Sequence, residues 1–131
     1  MTESATTNGV QIDVESRFIP ENSDAAQGQY LFAYLIRITN TTSGQVQLLN
    51  RHWIITDGLG RVEEVKGPGV IGQQPLIQPG DSFEYESFCP LSTPTGSMRG
   101  HYEMTSTSRT APQTFSAEIP HFFLVEPGSF H

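Results

Sequence analysis

Residues 29–60 read QYLFAYLIRITNTTSGQVQLLNRHWIITDGLG, two long apolar-rich stretches joined by a short polar one. In the first stretch Tyr30, Phe32, Tyr34, Ile36 and Ile38 recur at every second residue and therefore share one face of an extended strand. Leu31, Ala33 and Leu35 make the other face partly apolar until Arg37 interrupts it, which marks a long central strand. Asn40 to Gly44 carries the residue types that reverse a chain. The alternation resumes from Gln45 to Asp57, with Leu49, Trp53 and Ile55 on one face and Leu48, His52 and Ile54 on the other. Asp57-Gly58-Leu59-Gly60 then makes a tight reversal in which glycine can take positive φ.

The same period of two extends outward. Upstream, Val10, Ile12 and Val14 alternate with Gln11, Asp13 and Glu15, and Glu21 to Gly28 reads as an acidic loop. Downstream, Arg61 to Lys66 pairs back as a charged edge strand. Gly67 to Gly80 is a crossing loop, because Pro68, Pro75 and Pro79 each remove an amide donor. Phe83 and Tyr85 alternate with Glu84 and Glu86; Met98, Tyr102 and Met104 alternate with Arg99, His101 and Glu103. Gln113 to Val125 closes the chain with Phe115, Ala117, Ile119 and the run Phe122 to Val125, interrupted at Pro120. Seven strands are predicted, near 10–19, 29–40, 45–57, 61–66, 81–89, 97–107 and 113–125, with no helix. Short strands at regular spacing without βαβ alternation predict an all-β, immunoglobulin/fibronectin type III-like antiparallel sandwich of two sheets. The expectation is one domain over 1–131, with a flexible N-terminus at 1–9 and a C-terminal tail at 126–131.

Composition narrows the function. Fourteen acidic against seven basic residues give a net charge of −7, and no basic stripe exists to meet a nucleic-acid backbone. One cysteine, Cys89, excludes an internal disulfide framework and a cysteine zinc site. No apolar run reaches the ~18 residues of a membrane span, and Met1 to Gly9 lacks the pattern of a signal peptide, so a cytoplasmic protein is expected.

Taken in order, Arg51-His52-Trp53, Asp57 to Gly60, Gly67-Pro68-Gly69-Val70-Ile71-Gly72, Gln74-Pro75, Pro79-Gly80, Phe83 with Tyr85 and Ser87, and Gly96 to Met104 resemble the ApaG family. The resemblance runs from roughly Arg17 to Val125. It implies a fibronectin type III-like sandwich that occurs alone in bacteria. In eukaryotes the domain occurs fused to other modules, in F-box proteins and a polymerase-delta-interacting protein. It also implies protein interaction and a link to cobalt and magnesium tolerance, without an established biochemical activity.

Gly67-x-Gly69-x-x-Gly72 matches the dinucleotide fingerprint, with Lys66 beside it as the supporting cation. That fingerprint works between a strand and a helix whose N-terminus receives the pyrophosphate. Here Gln73-Gln74-Pro75 follows, so a structural glycine loop is the first reading and a pyrophosphate or nucleotide site the alternative. His52, His101 and Glu103 would share a face if the third and sixth strands are neighbours, a weak divalent-metal candidate that an ordinary exposed strand face would equally produce. No cofactor is expected. Cys89 precedes Pro90 with no His pattern to activate it, and Glu63-Glu64 fall on opposite strand faces, so no catalytic set emerges. Trp53 reads as core. Arg51 shares its face, so it lies at the sheet's end or pairs with Asp57 or Glu103.

If Trp53, Ile55, Tyr102, Met104 and Phe123 fill the inner face, then His52, Ile54, His101 and either Phe122 or Leu124 form an apolar patch on the outer one. That patch is the expected surface for an unidentified protein partner. An edge-strand homodimer, or the tail Glu126 to His131 folded over it, would bury the same residues.

Overall fold

The computed structural model describes residues 2–109 and 112–129; Phe130 and His131 of the expected tail lie outside the described residues. Among these it has nine strands in two antiparallel sheets: β1 Thr2–Thr7, β2 Val10–Phe18, β3 Tyr30–Asn40, β4 Val46–Asp57, β5 Val62–Pro68, β6 Leu76–Ile77, β7 Ser82–Leu91, β8 Thr95–Ser106 and β9 Thr114–Val125. One sheet has the order β1-β2-β3-β7 and the other β5-β4-β8-β9, with β6 paired to β4 at Val46 and Gln47. The sandwich is the expected fold, and the third expected strand does lie beside the sixth.

Two strands beyond the expected seven correct the sequence reading. The first, β1, occupies the segment read as a flexible N-terminus. Asn8 (φ 49) and Gly9 (φ 80) both take positive φ and close a two-residue hairpin, the turn for which Asn-Gly is the favoured pair. The other, β6, occupies part of the crossing loop. Asn40, fully buried at the end of β3, holds the crossover to β4. Its Nδ2 donates to the carbonyls of Gly44 (2.8 Å) and Ile77 (2.9 Å), and its Oδ1 accepts from the Thr42 N–H.

The core lies between the sheets. Val10, Ile12 and Val14 on β2 and Phe32, Tyr34, Ile36 and Ile38 on β3 face Leu48, Trp53, Met98, Tyr102, Met104, Ala117, Ile119, Phe122 and Leu124. Trp53 sits edge-on to Tyr34 (5.4 Å between ring centroids), Phe122 (6.0 Å) and Tyr102 (6.4 Å). Opposite it on β8 is Gly100, where a Cβ would stand 2.0 Å from the His52 carbonyl, so the two strands pass closer there than any side chain permits.

Two bulges overturn the expected faces. Between Leu48 and Asn50 the β4–β8 register shifts, so Leu48 points inward and the inward phase restarts at Arg51. In β9, Ile119 pairs with Gly100 and Phe122 with Met98, so Pro120 and His121 together oppose the single residue Arg99. Proline, with no N–H to give the ladder, favours such a site. The phase slip turns Phe122 and Leu124, both fully buried, into the core and leaves Phe123 48% exposed. Both alternatives for the outer-face apolar residue, Phe122 and Leu124, are therefore interior, and the Phe123 expected inside is outside.

The sandwich closes unevenly. On one side β1 and β2 pack over β9. On the other, β7 and β5 are the edge strands of their sheets, each paired along one side only.

Candidate functional site

The glycine fingerprint forms a loop braced from within. Gly67, one pair before the end of the ladder, lies opposite Arg51, where a Cβ would stand 3.0 Å from the Arg51 Nη2. Gly69 (φ 62) donates its N–H to the Leu49 carbonyl at 2.8 Å, and Val70 and Gln73 exchange both backbone hydrogen bonds, at 2.8 and 2.9 Å. Three amides that a phosphate cradle would need are thus committed to the protein. Gly72 (φ 75) and Ile71 (φ 43) form the tip; positive φ in β-branched Ile71 is a strained conformation. Lys66 stands on the opposite face of β5, 3.6 Å from Glu64, so Lys66 does not converge with Gly67, Gly69 and Gly72.

The outer face of the second sheet brings His52, Ile54 and His101 together. His52 and His101 are direct cross-strand partners with their rings edge-to-face at 4.9 Å, and the His52 imidazole is hydrogen-bonded to Glu64. That bond, with Lys66 adding to it, holds the Glu64 carboxyl below its ordinary range. Glu103 does not join the histidines, because its carboxylate accepts from Asn50 Nδ2 at 3.0 Å. Among the described residues no three His, Cys, Asp or Glu side chains are grouped to hold a metal ion. Ile54 is half-buried, and with Phe122 and Leu124 in the core the face lacks the rest of its expected apolar patch. The described part of the tail does not cover it: the Glu126 N–H donates to the Pro94 carbonyl at 2.8 Å, and Pro127–Ser129 forms a single 3-10 turn.

A concavity that gathers polar and apolar groups lies elsewhere, between the edges β7 and β5. A cleft of about 460 Å³ opens there, within the range of ligand pockets. Trp53, Ile55 and Met98 line it from the second sheet, Tyr34, Tyr85, Ser87 and Cys89 from the first, and Val70 to Gly72 wall one end. Val70 is fully buried and anchors that wall, while Ile71 (56% exposed) and Phe88 (53% exposed) stand at the mouth.

Arg51 enters this cleft instead of pairing with Asp57 or Glu103. Asp57 belongs to Arg61, at 2.6 Å from its Nε. The Arg51 Nη1 donates to the carbonyls of Pro68 (2.9 Å) and Gly69 (3.0 Å), which fixes the guanidinium against the glycine loop. Across from it, Tyr102 and Tyr85 join their hydroxyls in a short hydrogen bond. Burial raises both phenols far above their ordinary range and raises Tyr34 as well, with the Ser87 hydroxyl opposing that rise. All three phenols are neutral hydrogen-bond donors across the physiological range. Burial, reinforced by Glu63, also pushes the Cys89 thiol up to about 11, which removes its nucleophilic form. The cleft offers donors and apolar walls with no activated nucleophile.

Composition and spacing did not single out this cleft, because Tyr34 and Tyr85 read there as strand residues in an alternating pattern and Ser87 only as one of the residues that carry the family resemblance. Arg51 was its one visible signal, a charge on the same face as Trp53.

The sequence matches the family model described as ApaG domain over residues 20–106. It is 50% identical over 121 residues to Protein ApaG of Bdellovibrio bacteriovorus, spanning 92% of this chain and 93% of that one. It is 51% identical over 120 residues to Protein ApaG of Bordetella pertussis, spanning 92% and 89%. A crystal structure from Bordetella pertussis, 51% identical, matches with a TM-score of 0.84 over 90% of this chain and 94% of the other.

Proposed function

Because this chain belongs to the ApaG family, we propose that it is a non-catalytic protein-interaction module that receives an extended segment of a partner in the cleft between β7 and β5. One observation carries the reading: two strand edges with unpaired backbone groups flank an apolar-walled cleft, with Ile71 and Phe88 exposed at its mouth. Free edges recruit added strands through main-chain hydrogen bonds, and pockets beside them select alternate side chains. The protonated Cys89 thiol and the neutral tyrosines support binding over catalysis. The cation-tolerance link that the sequence resemblance implies is taken as indirect, since among the described residues no three His, Cys, Asp or Glu side chains are grouped to hold a metal ion, and the neighbouring pair His52 and His101 has only the His52 bond to Glu64 beside it.

A random-peptide display selection tests the proposal with three proteins: wild type, Ser87→Trp to fill the cleft, and Ile54→Glu on the outer face. Peptides enriched by wild type and Ile54→Glu but not by a folded Ser87→Trp support it. The reverse pattern moves binding to the outer face, and no enrichment by wild type refutes the module.

A further inference from the structure

This inference rests on the reading of the cleft as the place where an extended segment binds, and it specifies that segment's chemistry. Arg17, Arg37 and Arg61 each face a carboxylate, at 3.9, 3.7 and 2.6 Å. Arg51 has no ion-pair partner among the described residues. Only its Nη1 is hydrogen-bonded, to two backbone carbonyls, which leaves Nη2 and Nε without a protein acceptor. A guanidinium held in place by its own loop, with two N–H-bearing nitrogens unused, is prepared for a planar anion that can take two parallel hydrogen bonds.

The tyrosine pair adds a third donor. Tyr102 is fully buried and its hydroxyl has Tyr85 as its hydrogen-bond partner, so its proton must point at the Tyr85 oxygen or stay buried and unsatisfied. With its oxygen accepting from Tyr102, Tyr85 has its own O–H proton available, and Tyr85 lines the cleft.

Charge selects the kind of anion. The cleft holds one fixed cation, Arg51, and one carboxylate, Glu63, which stands opposite Ile55 on β5. A phosphate dianion or a polyanion would be under-compensated there and repelled by the net charge of −7; a single carboxylate is matched. Along β4, Arg51 and Ile55 are four residues apart, about 13 Å at the usual rise of a strand. A peptide strand has the same repeat, so a side chain against Arg51 and one against Glu63 would also be four residues apart, with an inward residue between them over Val65 and Trp53.

We propose that the cleft recognises an extended peptide carrying one acidic side chain, whose carboxylate is held by the Arg51 Nη2 and Nε and the Tyr85 hydroxyl. An apolar residue two positions along and a basic one four positions along complete the match.

The test uses the full ¹⁵N-labelled chain and two blocked heptapeptides, TETVTKT and TQTVTKT, that differ only in the carboxylate. The acidic peptide is expected to shift the β7 amides and the Arg51 side-chain Nε–H resonance and to bind at least tenfold more tightly than the amide peptide. Arg51→Gln should abolish that difference. If this variant does not fold, the Nε–H shift in wild type decides alone. Equal binding of both peptides along β7 overturns the carboxylate assignment and leaves the cleft as a binding site. Shifts confined to the neighbourhood of His52 and Ile54 overturn both readings. The absence of shifts with either peptide at several millimolar overturns this inference.

Discussion

Replacing Phe122 with alanine is expected to destabilise the protein by about 3–5 kcal/mol, the range for a fully buried aromatic side chain that leaves a cavity. Phe122 has no solvent exposure and touches the rings of both Trp53 and Tyr34 at 6.0 Å between centroids. These neighbours are themselves buried and cannot collapse into the gap. The adjacent Phe123→Ala removes a ring that is 48% exposed and packs only partly, against His121 at 5.0 Å. Half of a full burial gain is worth about 1 kcal/mol. Urea unfolding followed by tryptophan fluorescence measures both. With a slope near ~2 kcal/mol/M, Phe122→Ala should lower the midpoint by roughly 2 M and Phe123→Ala by about 0.5 M. Equal losses, or a larger one for Phe123, would show that the Pro120-His121 bulge does not invert the phase of β9, and with it the assignment of the whole outer face.

Ile71→Asn at the glycine-loop tip should raise stability by about 1 kcal/mol, since Asn tolerates the positive φ (43°) that strains a β-branched side chain. The melting temperature would rise by about 3–5 °C, and no rise would mean that the apolar contact of Ile71 outweighs its backbone strain. Stability should fall on acidification. Burial alone would raise the Asp57 pKa, but the Arg61 N–H and side chain and the Leu59 N–H outweigh it, and the His52 bond lowers Glu64, so both carboxyls are depressed in the folded state. Groups of this kind contribute fully above the unfolded-state value of about 4 and lose that contribution as pH falls through their lower folded values, so the acid slope of the urea midpoint should flatten in Asp57→Asn. Cys89 should resist iodoacetamide at pH 8, where a thiol of pKa about 11 has roughly one part in a thousand as thiolate. Its alkylation should accelerate about tenfold per pH unit, and labelling within minutes at pH 8 would refute its burial.

The alternation in residues 29–60 and in the segments around it was enough to find seven of the nine strands, because a two-residue period survives wherever pairing is regular; that β4 lies beside β8 followed from the expected fold, and its pairing with β6 was missed. The alternation failed at Leu49 and at Pro120-His121, where two residues oppose one and every later side chain changes face. A proline in a strand signals such a site without saying which face follows it, and Leu49 gives no signal at all. β1 was legible in Asn8-Gly9 but is too polar, as TESATT, to stand out by alternation. Of the expected site residues, His52, Ile54 and His101 meet on one face, whereas the cleft depends on how far apart two sheet edges stand, a distance no local pattern encodes. Arg51 was left with alternatives because its acceptors are backbone carbonyls, which are the same in every sequence.

The strand order also governs how the chain can assemble as it leaves the ribosome. Neither sheet is made of consecutive strands: β3 waits for β7, joining Thr39 to Ser82, and β4 waits for β8, joining Trp53 to Gly100. A nascent chain that has emerged through Pro68 holds a three-stranded meander and a hairpin, each with an apolar face uncovered. The partnering strands arrive only afterwards, and β9, which brings Phe122 and Leu124, is the last of the nine to be synthesised. Slow, late closure is expected of such non-local pairing, and until it occurs the incomplete chain depends on its polar faces and on cellular holdases to remain unaggregated.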